Sequence, residues 1–380
     1  MLKFSVDYKT LLEAVGAASK AVATKGTQPM LSNLLVNAIK NETEQILRFV
    51  GTDQEIMMIS NVDAEIEESG SFTLPAKLLQ EILGSVTVES GTKAIFELVN
   101  SESGEMEINI DRNKFNIQIQ GTDGFPPVPA LVGDDVQIFD IKCEGFAAAL
   151  KEASVAMSSD EGNPVHKGIC VDFSNAEKPV MVSTDSKRLA VTTVRDIEIP
   201  EVLRHTFVVP SKAVVEIQKL LDSNESIKFG LYKEQLLFSS EKFQFITRLV
   251  EGRFPDYNRV VPKDTAHTIK MNRKGLQQAL KTVGPIARLV NNLVHFDVSA
   301  NETKIWADAK ESGRAESFVP SELEGETIQI GFNAKFIGDF LNVLEDEQVI
   351  IQLTTPQYPG LLRPGNPDSE FKYVVMPMTY

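Results

Sequence analysis

The chain has 380 residues, 42% of them hydrophobic, with 38 Lys and Arg against 53 Asp and Glu, a net charge of −15, and two cysteines. This is ordinary globular composition, long enough for two or three domains, and it excludes wholesale disorder and a disulfide framework. No run approaches about 18 apolar residues and no basic-then-apolar leader opens the chain, so a cytoplasmic protein without a membrane segment is expected.

Leu11, Val15, Ala18 and Val22 fall at helical spacing and predict an amphipathic helix. Turn signals at Gly51-Thr52-Asp53, Ser69-Gly70 and Asn100 to Gly104 separate strand-like segments. Between them, Pro75-Ala76-Lys77-Leu78-Leu79 opens a second helix with Ile82 on its apolar face. Phe115 to Ile119 alternates apolar and polar residues, as a half-buried strand does. Phe125-Pro126-Pro127-Val128-Pro129 then closes the unit.

The pattern returns twice. Phe146, Leu150, Ala153 and Met157 repeat the first stripe at an offset of 135, and Leu276, Leu280, Val283 and Ala287 at 265. In the third copy Gly284-Pro285 is expected to break or kink the last turn. The second helix recurs as Pro210-Ser211-Lys212-Ala213-Val214 with Ile217, and as Asn333-Ala334-Lys335-Phe336-Ile337 with Phe340. Phe243 to Ile246, Ile328 to Ile330 and Ile350 to Leu353 read as further strands. Pro356 to Pro367 is rich in Pro and Gly and reads as an ordered loop. A period of about 130 residues is that of a whole domain. The fold class is therefore α+β: three similar domains over 1–132, 133–262 and 263–380, each with two helices and roughly eight strands in antiparallel sheets.

Enzymatic signatures are missing. There is no phosphate-binding glycine loop, no Gly-x-Ser-x-Gly elbow and no His-Glu-x-x-His. The four histidines are scattered, and Cys143 and Cys170, 27 apart, read as small buried hydrophobes. No cofactor or metal is expected. A triplicated interaction scaffold, or an enzyme with a cryptic site, stays open at this level.

Four strings give the repeat a specific likeness. Pro29-Met30-Leu31-Ser32-Asn33, Thr184-Asp185-Ser186-Lys187-Arg188-Leu189, Gly252-Arg253-Phe254-Pro255-Asp256-Tyr257 and Tyr373-Val374-Val375-Met376-Pro377-Met378 resemble, in order, motifs of the bacterial DNA polymerase III beta subunits. The resemblance covers the whole chain. It implies a non-enzymatic processivity clamp: three domains per chain, two chains head to tail, and a ring that encircles duplex DNA without reading its sequence. It also implies a cleft for short apolar peptides of the polymerase alpha subunit, the clamp loader, and repair polymerases or ligase. Thr184, Arg188, Leu189, Pro255, Arg259, Val260, Asn333, Phe336, Val374, Val375, Met376, Pro377 and Met378 stand at the matching positions. Phe115, Ile117, Pro285 and Ile286 stand where the family has its dimer contacts. The chain departs from the family at Lys187, often His, at His166, often aliphatic, and in its Thr379-Tyr380 ending.

A ring meets DNA through its lining, so an acidic average and a basic inner face are compatible. The net charge divides as −8, −4 and −3 over the three expected domains. Yet 270–288 has no acidic residue and carries Lys270, Arg273, Lys274, Lys281 and Arg288. Lys20, Lys25, Lys151, Arg273, Lys274, Lys281 and Arg288 are the expected DNA-facing cations.

Overall fold

In a computed structural model of the chain, the described residues are 2–23, 28–129, 137–160, 162–232 and 234–378. Among the described residues the repeat periodicity becomes six α-helices: α1 (Tyr8–Ala18), α2 (Ala76–Ser85), α3 (Cys143–Ser154), α4 (Ser211–Asp222), α5 (Arg273–Ala287) and α6 (Ala334–Val343). The expected stripes are buried, with Leu11, Val15, Leu150, Ala153, Leu276 and Val283 at 0–1% exposure. Val22 and Met157 lie just past the ends of α1 and α3. The side chains of Asp7, Asn272 and Asn333 cap α1, α5 and α6 by accepting backbone N–H bonds, whereas prolines stand at the caps of α2 and α4. α5 is not broken at Gly284-Pro285 but runs on to Ala287. Pro285 is exposed there, and Arg288 N–H closes the end on Gly284 and Ile286 carbonyls. None of the described helices is long and apolar enough to cross a membrane.

The chain divides into two compact units, residues 1–140 with 227–248, and residues 141–226 with 249–380. The first unit contains a five-stranded sheet in the order Glu65–Glu68, Lys3–Asp7, Lys93–Asn100, Glu105–Ile110, Asn113–Gln118. Its other sheet has eight strands: Gln137–Lys142, Ser226–Tyr232, Gln235–Ser239, Phe243–Arg248, Ile56–Asp63, Gln45–Thr52, Asn33–Lys40, Gly70–Pro75. The segment 227–248 of the second repeat belongs here because Phe243–Arg248 pairs antiparallel with Ile56–Asp63, Gln244 facing Ile59. One core unites α1, α2 and the inward residues of both sheets, with Phe4, Phe49 and Phe96 buried.

The second unit is organised on one twelve-stranded antiparallel sheet. Its order is Thr206–Pro210, Gly168–Asp172, Val180–Thr184, Arg188–Thr193, Lys372–Val375, Gly360–Pro364, Gln348–Leu353, His267–Asn272, Arg314–Glu324, Glu302–Asp308, Leu293–Val298, Ile328–Asn333. The strand Gly360–Pro364 corrects the expected loop over 356–367. Leu361 and Leu362 are buried between two neighbours, and apolar burial outweighs the surrounding Pro and Gly. Proline stands only at that strand's end, where a missing N–H is tolerated. The last strand of the chain lies inside this sheet, with Leu189 facing Val374 and Val191 facing Lys372.

Candidate functional site

A cleft of about 180 Å³ opens in the second unit where Arg188–Thr193 meets Lys372–Val375. Strand alternation decides which side chains reach it. Leu189 and Val374 stand opposite each other on one face and form the cleft's apolar floor, backed by a buried cluster of Val165, Cys170, Val182, Val208, Phe254 and Leu361. Tyr373 and Val375, one residue to either side, face the larger core around α5 and α6. The segment Phe254 to Tyr257 with Val260 forms one wall. Met376, 43% exposed, lines the cleft just past the strand end.

The rim is a tight turn built by its own side chains. Thr184 Oγ1 donates to Arg188 O at 2.7 Å and accepts from Ser186 N–H at 3.1 Å. Asp185 Oδ1 accepts from the N–H groups of Lys187 and Arg188, and Ser186 takes the left-handed conformation, φ 71°. Thr52-Asp53-Gln54-Glu55-Ile56 repeats this turn bond for bond in the first unit, with Gln54 at φ 77°. The turn is thus a property of the repeat, and the cleft's special chemistry comes from what stands around it.

Arg188 is the main addition. Its side chain, 8% exposed, bonds Asp185 at 2.9 Å, Asp339 at 2.7 Å and Tyr373 Oη at 3.2 Å, and its guanidinium lies 4.3 Å from the Phe336 ring centroid. Burial opposes its charge, but the anionic partners and Tyr373 raise its pKa further above the usual arginine range. Burial, by contrast, pushes the Tyr373 hydroxyl pKa up, and that hydroxyl donates to Phe336 O at 2.9 Å. The arginine therefore fastens the rim to α6 and to the last strand.

The tail is pinned by two backbone bonds, Met376 N–H to Lys187 O at 2.9 Å and Met378 N–H to Gly331 O at 2.8 Å. Gly331 is required here because a Cβ would lie 2.7 Å from Met378 O.

Tyr257 holds the wall to the sheet by donating to Asp172 Oδ2 at 3.0 Å. Burial works against the Asp172 carboxylate, yet bonds from Ser174, Tyr257 and Thr206 hold its pKa below the usual carboxylate range. A depressed native pKa contributes stability that is complete above the unfolded value of about 4 and is lost as pH falls through the native value. Asp172→Asn is expected to remove this acid-sensitive part. Unfolding midpoints between pH 5 and 2 then decline less steeply than in the wild type, and parallel acid limbs would disprove the assignment.

The cleft gathers seven of the expected peptide contacts: Thr184, Arg188, Leu189, Pro255, Val260, Val374 and Met376. Arg259 lies outside its lining, largely exposed and paired with Asp256 at 2.9 Å. Val375 is buried on the opposite face, Asn333 caps α6, and Phe336 lies under Arg188. Pro377 and Met378 follow the pinned tail and are not among the lining residues. His166 lines the cleft, at the position where the family often has an aliphatic lining residue, and Ser186, Lys187, Phe254, Asp256 and Tyr257 line it without being among the expected contacts. For Phe254, Asp256 and Tyr257 the signal was the string around Pro255 itself. His166 lies edge-on to Phe254, with Nδ1 3.4 Å from Ser186 Oγ.

Of the expected DNA-facing cations, Lys20, Lys151, Lys274, Lys281 and Arg288 are exposed. Lys281 and Arg288 border a groove between α5 and α6 together with Lys335. Arg273 is engaged elsewhere, donating to the Asp346 and Leu341 carbonyls beyond and within the end of α6, where a cation suits the helix terminus. Lys25 lies outside the described residues. Phe115 and Ile117 are on Asn113–Gln118, the last strand of the five-stranded sheet. Ile286 packs on the third repeat's core beside exposed Pro285. Both cysteines are buried, and burial pushes the Cys170 thiol up to about 12. Among the described residues no His, Cys, Asp and Glu group is placed to hold a metal ion.

Known proteins place this architecture. The N-terminal, central and C-terminal domain profiles of the DNA polymerase III beta subunit match residues 2–129, 140–256 and 258–379. The beta sliding clamp of Bacillus subtilis is 28% identical, with all of both chains covered, and that of Pseudomonas putida is 28% identical over 99% of this chain and all of its own. Among solved structures, the Pseudomonas aeruginosa DNA polymerase III beta subunit superposes with a TM-score of 0.89 at 27% identity, covering 99% of this chain and all of that one. A Caulobacter crescentus beta sliding clamp, solved with polyethylene glycol bound to its putative beta-motif tethering region, reaches 0.90 at 25% identity, covering 100% and 99%. With the profiles spanning the chain end to end, the protein belongs to the DNA polymerase III beta subunit family.

Proposed function

We infer that the chain is a DNA polymerase processivity factor, a sliding clamp that is not an enzyme, and that its partners are DNA and a polymerase. The observation that carries this reading is the full-length family match on a triplicated fold. Two chains close head to tail into a ring around duplex DNA. Holding by topology lets the clamp slide, so the lining needs only weak phosphate contacts. Lys20, Lys151, Lys274, Lys281 and Arg288 supply them in this reading, and their exposure supports it.

The cleft takes short peptides with apolar anchors, carried by the polymerase alpha subunit, the clamp loader and repair polymerases or ligase. Its apolar floor and flexible Met376 suit several such ligands. Thr184 and Arg188 are occupied with the turn and with α6. Polar contacts to a peptide therefore fall to Lys187, His166 and backbone groups at the mouth.

Loading on nicked circular DNA followed by linearisation tests the topology. The clamp is expected to run off the linear ends, and retention would mean ordinary affinity binding. Lys274→Glu with Lys281→Glu is expected to shorten residence on the circle several-fold and to flatten its salt dependence. Unchanged residence would remove these lysines from the lining.

A further inference from the structure

Position 187 divides into a backbone that the fold needs and a side chain that it does not. The Lys187 N–H donates to Asp185 Oδ1 at 2.9 Å, and its carbonyl accepts from Met376 N–H at 2.9 Å. In the repeat of this turn in the first unit, Glu55 does the same with the opposite charge. Its N–H donates to Asp53 Oδ1 at 3.0 Å, and its carbonyl accepts from Arg248 N–H at 3.0 Å. The turn and the strand end it holds therefore tolerate either sign of charge here. The Lys187 side chain is exposed and lines the cleft.

The other charges of the lining are already matched. Arg188 is held by Asp185 and Asp339, and Asp256 by Arg259 at 2.9 Å. Lys187 has no ion-pair partner among the described residues. The mouth thus sets an uncompensated positive charge at the edge of an apolar floor, in a chain whose net charge is −15. Salt screens that average beyond about 8 Å, so the local cation decides which peptides the mouth attracts. Neutral hydrogen-bonding groups stand beside it, with Ser186 Oγ 3.4 Å from His166 Nδ1 and Asn163 Nδ2 3.5 Å from His166 Nε2.

We propose that the cleft selects, among peptides with apolar anchors, those that carry a carboxylate side chain beside an anchor, and that Lys187 reads this carboxylate. This deepens the peptide reading of the cleft and rests on it. The anchor supplies most of the affinity by burial on Leu189 and Val374. The ion pair stays partly hydrated at the mouth, so it adds little affinity and sorts one peptide from another. Lys187 is thus a specificity determinant whose charge can be changed without touching the bonds that build the rim.

The test measures fluorescence polarisation of the full-length protein with a labelled peptide that carries two leucine anchors. Glu replaces Gln at one non-anchor position at a time. At one position, or at two neighbouring ones, the Glu peptide is expected to bind about 3- to 5-fold more tightly than its Gln twin in about 0.15 M salt, and nearly equally in about 1 M salt. Lys187→Gln is expected to erase the difference. Lys187→Glu is expected to invert it and to favour a peptide with Lys at the same position. A purely structural lysine would weaken every peptide alike and leave their ratios unchanged. A Glu preference that survives Lys187→Gln, or no preference at any position, overturns the proposal. No binding of either peptide to the wild type, or binding of the Gln peptide that Met376→Asp leaves unchanged, overturns instead the reading of the cleft as a peptide site.

Discussion

Arg188→Ala is expected to lower the unfolding free energy of the second unit by about 3–5 kcal/mol, because it takes their shared cation from Asp185, Asp339 and Tyr373. In a unit of this size each kcal/mol corresponds to roughly 2–4 °C, so the thermal midpoint falls by roughly 6–20 °C. Calorimetry of the full chain reads this directly. Arg188→Lys falls between, since an ammonium cannot hold two carboxylates and stack on Phe336 at once. A single alanine variant within 1 kcal/mol of the wild type would show that the arginine fastens nothing.

Met376→Asp is expected to abolish most peptide binding while leaving the fold intact. The side chain is 43% exposed at the open end of the cleft, so the carboxylate remains hydrated in the free protein. A seated apolar anchor would have to desolvate it. The expected loss is about 2–3 kcal/mol, or 30- to 150-fold in Kd, measured by fluorescence polarisation with a labelled apolar peptide. The thermal midpoint stays within about 2 °C of the wild type. Unchanged affinity would place the peptide elsewhere.

Local information in the sequence reaches as far as local physics does. The helices were legible because burial writes a 3.6-residue stripe, and Leu11, Phe146 and Leu276 are buried as that stripe requires. The strand Gly360–Pro364 was not, since its two leucines are outnumbered by turn formers and its partners lie outside the window. Val374 and Val375 look identical in the chain, and only the register with Leu189 sends one to the cleft and the other to the core. The acid-free stretch 270–288 was legible as charge, but which carbonyls would claim Arg273 was not. Arg188 could be flagged by its motif; its partners Asp339 and Tyr373 are distant in sequence and are assembled by the fold alone.

The place of the last strand has a consequence for how the chain is made. Lys372–Val375 lies between Arg188–Thr193 and Gly360–Pro364, and the bond from Arg188 to Tyr373 spans 185 residues. At 5–20 residues per second, the ribosome leaves the edge of 188–193 unpaired for roughly 10–40 s. Nascent second units thus wait, one edge open, until 372–375 has been made. A chain stopped before residue 372 would lose a strand from the interior of this sheet.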